Sequence, residues 1–186
     1  AGSDGFLATS KYDVTFTGVA AHSGAFPEQG KNALLASAQS VLAIHGLPSH
    51  SSGTNRVNVG KLNAGLGRNI VPSIATMQVE VRGETTAIND FYEQQIIHIF
   101  QGAAQMYDVK VSYEKVGHAI STPSDLKLAQ LLAKTANQLG VPVIEYTNFK
   151  AGSEDATFLM KRVQENGGLA SYSIMGTQLA AGHHNE

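Results

Sequence analysis

The order in which hydrophobic periods of two and of 3.6 residues succeed one another constrains this chain more than any single motif in it. From Lys11 to Val19 the residues alternate, with Tyr12, Val14, Phe16 and Gly18 on one face and Lys11, Asp13, Thr15 and Thr17 on the other, which is the period of a strand. A loop carrying Gly24, Pro27 and Gly30 leads to a helical run from Asn32 to Ile44, with Leu34, Leu35, Ala38, Val41 and Leu42 on one face. Val57, Val59 and Leu62 alternate again until Gly65 and Gly67 break the pattern. Ser73 to Val81 alternates through Ile74, Met77, Val79 and Val81, with an offset that suggests a bulge or a strand buried on both faces. Thr85 or Thr86 can cap a helix through Phe91, Ile96, Ile97 and Phe100, and Val109, Val111 and Tyr113 make a last alternating run.

Strand, helix, strand, strand, helix, strand is the split βαβ or ferredoxin-like arrangement, an α+β fold. A four-stranded antiparallel sheet carries two helices on one face and leaves the other open. It is expected over residues 7–117. Beyond His118 the pattern changes. Thr122-Pro123-Ser124-Asp125 reads as a helix start, Gly140 as its stop, Val141 to Tyr146 as a short strand. Ser153-Glu154-Asp155 can cap a second helix ending near Gly167, and Leu169 to Met175 reads as a buried strand. So few elements cannot close a doubly wound sheet, so residues 118–186 are expected to be an incomplete α/β segment that needs strands from elsewhere. The chain opens without methionine and stops at His183-His184-Asn185-Glu186 with no closing element, and reads as a piece of a longer polypeptide.

Composition narrows the function. Hydrophobic residues at 42% and charged residues at 15% are those of an ordinary globular protein, and a net charge of −2 gives no electrostatic case for nucleic acid or an anionic membrane. The central strand Ser73 to Gly83 lacks the stacking aromatics an RNA-binding sheet of this type displays. No apolar stretch is long enough to span a bilayer and no targeting segment is visible, so a cytoplasmic, small-molecule role is expected. Without cysteine, any metal must sit on His, Asp or Glu.

Gly65-Leu66-Gly67-Arg68-Asn69-Ile70 begins like a dinucleotide fingerprint, but Ile70 stands where the third glycine belongs and the run lies between two strands. Phosphate-loop, Gly-x-Ser-x-Gly and His-Glu-x-x-His sequences are absent. His22 at a strand end beside small residues, Asn69 after a glycine-rich turn and Arg82 at the end of an apolar strand each have an ordinary surface or turn reading when taken singly.

Their order is more specific. Ala21-His22-Ser23-Gly24 with Pro27 and Lys31-Asn32-Ala33, then Gly65 to Pro72, then Val79-Glu80-Val81-Arg82, and onward to Gly152-Ser153-Glu154-Asp155 and His183-His184-Asn185, resembles the di-zinc aminoacylase/carboxypeptidase family over nearly the whole chain. The resemblance implies a lid domain that dimerises and is inserted into a catalytic domain. That catalytic domain holds two divalent ions per active site, zinc or else manganese, and cleaves the amide bond of N-acyl amino acids or aminobenzoyl-glutamate-like conjugates. It assigns His22 to stabilising the oxyanion, reaching into the partner's active site, and Asn69 and Arg82 to binding the substrate. His184, with His183 as the alternative, is the implied metal ligand. Glu154 and Asp155 match a motif beside the active site and equally an acidic first helical turn. His45, His50, His98 and His118 match no functional position and are expected at the surface.

The His-x-Asp metal motif, the bridging aspartate and the adjacent glutamate pair of that family are missing from this sequence. The chain alone is therefore expected neither to retain metal nor to hydrolyse an acyl-amino acid, and to act as a homo- or heterodimer through the lid. The competing expectation is a stand-alone ferredoxin-like module that dimerises or binds a small ligand without catalysis.

Overall fold

The computed structural model describes residues 2, 5–144, 152–174 and 176. They fall into two compact units: Phe6–Ser121 with the described residues of 151–155, and the remaining described residues.

The first unit contains β1 (Ala8–Thr17), α1 (Ala33–His45), β2 (Asn55–Ala64), β3 (Ile74–Gly83), α2 (Thr86–Met106) and β4 (Lys110–Ala119). The sheet order is β2-β3-β1-β4 and every pairing is antiparallel, the ferredoxin-like topology. Tyr12, Val14 and Phe16 of β1 and Met77, Val79 and Val81 of β3 form the covered face. Against them α2 lays Ile88, Tyr92, Ile96 and Phe100, one residue per turn. Thr85 caps α2 by accepting the amide of Ile88 at 3.2 Å.

Two sequence expectations change. The leucine face proposed for the interior of α1 points outward: Leu42 is 71% exposed, whereas Ala33, Ala36, Ser37, Ser40 and Ile44 are buried. Small residues let the helix approach the sheet closely. The two serines satisfy their hydroxyls within the helix, Ser37 donating to Leu34 O at 2.8 Å and Ser40 to Ala36 O at 2.9 Å. The offset in β3 is not a bulge, because that strand alternates strictly and Ile74 sits on the open face. The register shifts lie instead in the pairings of β2, between Val59 and Lys61, and of β1 with β4, at Lys11/Tyr12.

The second unit contains α3 (Leu126–Gln138) and α4 (Ala156–Glu165). Gly140 at φ +72° and Gly167 at φ +79° end them in the left-handed region, with Val141 N donating to Ala136 O and Gly168 N to Val163 O, as the sequence predicts. The start of α3 is later than expected. Asp125, not Thr122, is its N-cap, and its carboxylate accepts the Ala170 amide and the Gln164 amide group, each at 2.8 Å, rather than capping the helix. The Ala170 amide first, then Gln164, holds this carboxyl below its ordinary range. Residues 141–144 and 169–174 form no strand. The amide of Tyr172 is given to the Ser124 hydroxyl at 3.1 Å rather than to a neighbouring strand.

Candidate functional site

The loop after β1 and the loop between β2 and β3 are bonded main chain to main chain. Gly18 N donates to Ser73 O at 2.7 Å, Val71 N to Ala21 O at 2.9 Å, Ser23 N to Asn69 O at 3.0 Å, and Ala33 N to Pro72 O at 2.8 Å. His22 and Ile70 form an isolated antiparallel bridge. Gly30 permits this approach, because a Cβ there would lie 2.8 Å from Cγ1 of Val71, while Gly18 lets the first loop close on itself, 1.9 Å being all a Cβ would have to Lys31 O.

His22 is exposed at this junction. Its Nδ1 accepts the amides of Gly24 and Ala25, each at 3.1 Å. Two donors at Nδ1 require a lone pair there, so the neutral ring carries its proton on Nε2 and offers that N–H outward. Leu66, 94% exposed, borders a shallow apolar hollow of about 270 Å³ with Ala20, Ala64, Ile70 and Ile74 beside this loop. Asn69 is exposed, held to His22's loop through its carbonyl.

Arg82 is elsewhere. His22 and Asn69 lie at the Ile74 end of β3, and Arg82 stands one residue from its other end. At a rise of about 3.3 Å per residue the strand puts roughly 26 Å between Ile74 and Arg82. Arg82 gives Nε and Nη2 to the two oxygens of Glu80, at 2.9 and 3.0 Å. The structure thus brings His22 and Asn69 together and separates Arg82 from both. Glu154 is half-buried and Asp155 exposed just before α4. His183 and His184 lie outside the described residues, and among the described residues no group of three His, Asp or Glu side chains is placed to hold a metal ion. The two-ion centre implied by the family resemblance therefore does not fit the described residues.

Several working side chains escaped the sequence reading. Glu93 of α2 is buried and accepts from Ser10 at 2.7 Å, from the Tyr12 hydroxyl and from Lys115, while Asn89 donates to Ser10 at 2.8 Å. Burial pushes the Glu93 carboxyl up, but the hydrogen bonds from Lys115, Tyr12 and Ser10 and the charge of Lys115 outweigh it and leave it below its ordinary range. Burial first, and then the Glu93 carboxylate, push the Tyr12 hydroxyl well above its ordinary range. The signal was available: Asn89 and Glu93 sit four apart beside the apolar stripe of α2. His45 and His50 are structural, His45 Nε2 accepting the Val59 amide at 3.2 Å and His50 packing edge-on against Phe91 and Tyr92. His98 and His118 are exposed, as expected.

Comparison with known proteins agrees with this fold. A family model described as a peptidase dimerisation domain matches residues 9–108. A p-aminobenzoyl-glutamate hydrolase subunit of Escherichia coli (strain K12) is 52% identical over 187 residues, covering 100% of this chain and 43% of that protein. The indole-3-acetyl-aspartic acid hydrolase of Enterobacter agglomerans is 50% identical, again over 100% of this chain and 43% of its own length. The crystal structure of an aminobenzoyl-glutamate utilization protein from Klebsiella pneumoniae superposes with a TM-score of 0.86 at 47% identity, over 92% of this chain and 44% of that one. The chain thus spans less than half the length of the relatives it matches. No helix among the described residues is long and apolar enough to cross a membrane.

Proposed function

Because the chain belongs to the peptidase dimerisation domain family, we propose that it is the lid and dimerisation unit of a cytoplasmic, metal-dependent amidohydrolase acting on N-acyl amino acids, with aryl conjugates of glutamate or aspartate as the substrate class. The conjugates for which the Escherichia coli and Enterobacter agglomerans relatives are named support that class. The lid spans residues 7–117, and 118–186 belong to the catalytic part.

One observation carries the reading: the strand that separates Arg82 from His22 and Asn69. A small conjugate cannot bridge roughly 26 Å. A site using all three takes His22 and Asn69 from one copy and Arg82 from another, which makes dimerisation a condition of catalysis. His22 donates its Nε2–H to the carbonyl oxygen as negative charge develops on it, Asn69 orients the amide, and Arg82 holds a carboxylate. Zinc, or else manganese, would supply Lewis acidity in the complete enzyme, and His184, or His183, is this chain's proposed ligand. Two features suit the α1–β2 side to a second copy: outward leucines on α1, and β2, which is an edge strand.

Complementation tests this. With the chain in a polypeptide of its relatives' length, His22→Ala and Arg82→Ala variants are each inactive on p-aminobenzoyl-glutamate. Random mixing recovers about a quarter of full activity, since half the symmetric dimers are mixed and each holds one intact site. No recovery on mixing would place all three residues in one copy and refute the reading.

A further inference from the structure

The bridge between His22 and Ile70 sits between two reciprocal main-chain bonds, Ser23 N to Asn69 O and Val71 N to Ala21 O. That makes the two residues a non-hydrogen-bonded antiparallel pair, the kind whose Cα atoms stand about 4.5 Å apart and whose side chains lie closest, on one face of the junction. Ile70 is half-exposed and forms a wall of the apolar hollow that Ala64, Leu66 and Ile74 also line. The imidazole and the hollow are therefore neighbours by register. His22 gives its Nδ1 lone pair to the amides of Gly24 and Ala25, which leaves the Nε2 edge for a ligand beside Ile70. The hollow itself has the make-up of a small-molecule site, with mostly apolar walls and a few polar groups among them. Two of these, Asn63 and Thr76, stand directly opposite each other in the β2–β3 register. At about 270 Å³ it is smaller than the roughly 300–1,000 Å³ that encloses a whole drug-sized ligand, and it suits a single ring system.

We propose that this hollow is the subsite for the aromatic ring of the ligand's acyl group, with Ile70 as its specificity-determining residue. In an aryl amide the ring is joined to the carbon whose oxygen the Nε2–H of His22 meets. A ligand placed on that donor therefore carries its ring to the neighbouring side chain, which is Ile70. Covering Ile70, Ile74 and the almost fully exposed Leu66 removes apolar surface from water. An acetyl group could make the same contact to His22 but would leave those side chains wet, so the hollow favours aryl over short alkyl acyl groups. Asn63 and Thr76 offer hydrogen bonds to a polar substituent on the ring and set its orientation. This rests on the reading of His22 as the donor to the acyl carbonyl, and deepens it by naming what lies beyond that carbonyl.

The test is a methyl-detected NMR titration of the 186-residue chain with p-aminobenzamide and, in parallel, with acetamide. In the wild type the aryl probe produces saturable shifts at the methyl groups of Ala64, Leu66, Ile70 and Ile74, and acetamide produces none. Ile70→Ser weakens the aryl probe by about tenfold, the low end of what one apolar group is worth in a binding pocket. Ile74→Thr keeps the β-branching that suits a strand and weakens it in the same direction. Unchanged methyl signals from Ile88 and Ile96 of α2 report that the fold is retained. Absence of saturable shifts, shifts centred elsewhere, an equal response to acetamide, or wild-type affinity in both variants would overturn the proposal. So would hollow methyl signals that move on dilution of the chain and ignore the probe, which assigns the hollow to a second copy. The titration alters neither His22 nor Arg82 and measures no turnover, so it and the complementation experiment can fail separately.

Discussion

The amide of Ser23 donates to the carbonyl of Asn69 at 3.0 Å, so the residue after His22 is fixed to the neighbouring loop through the main chain. Geometry at His22 therefore depends on how closely the two loops pack, and Gly30 is a point of close approach, where a Cβ would lie 2.8 Å from Cγ1 of Val71. Gly30→Ala is expected to force the loops apart at a cost of about 1–3 kcal/mol, the usual range for overpacking. Hydrogen exchange checks it: the amides of Ser23 and Val71 lose protection in the variant while those of α2 keep theirs. Protection unchanged at Ser23 would show that the loops do not depend on this contact.

The two amides on His22 Nδ1 fix a tautomer. Long-range ¹⁵N correlation of the imidazole at neutral pH should show an unprotonated Nδ1 and a protonated Nε2. A neutral ring protonated at Nδ1 would remove the outward donor on which the oxyanion role depends.

Glu93 makes stability depend on acid. Its folded carboxyl titrates below its ordinary range, so its stabilisation is present above that range and is lost as pH falls through the folded value. Glu93→Gln is expected to lower stability at pH 7 by about 1–3 kcal/mol, because buried donors lose a charged acceptor. Denaturant midpoints at pH 7 and pH 3 should differ less in the variant than in the wild type. Equal pH dependence in both would exclude Glu93 as the source.

Tyr12 acts at the other extreme. Its hydroxyl is raised from an ordinary value of 10.0, so its stabilisation is complete below that pH and declines as pH climbs through the folded value. Tyr12→Phe removes this ionisation and should flatten the alkaline limb of a thermal-melt profile between about pH 9 and 12. A limb as steep as the wild type's would point to another group.

Outward leucines on α1 predict that Leu42→Glu weakens self-association by at least about tenfold, equivalent to roughly 1.4 kcal/mol, without unfolding the chain. Sedimentation equilibrium with a circular-dichroism control decides it. Undiminished association would move the dimer contact away from α1.

Element order, the Ile88-Tyr92-Ile96-Phe100 stripe, the Thr85 cap and the glycine stops at Gly140 and Gly167 were readable from sequence, because each depends on residues within about one or two turns of one another. The loop residues His22 and Asn69 could be nominated in the same way, from local motif. Tertiary structure alone decided that α1 turns its alanines and serines inward and its leucines out, since that depends on how near the sheet comes. It also decided that residues 141–144 and 169–174 form no strand, the amide of Tyr172 going to the Ser124 hydroxyl. The pairing of His22 with Ile70, the gathering of Ser10, Tyr12 and Lys115 on Glu93, and the distance between Arg82 and His22 follow from strand register and bulges. Register joins residues tens of positions apart through backbone hydrogen bonds that look alike at every step, and only the packed sheet selects among them.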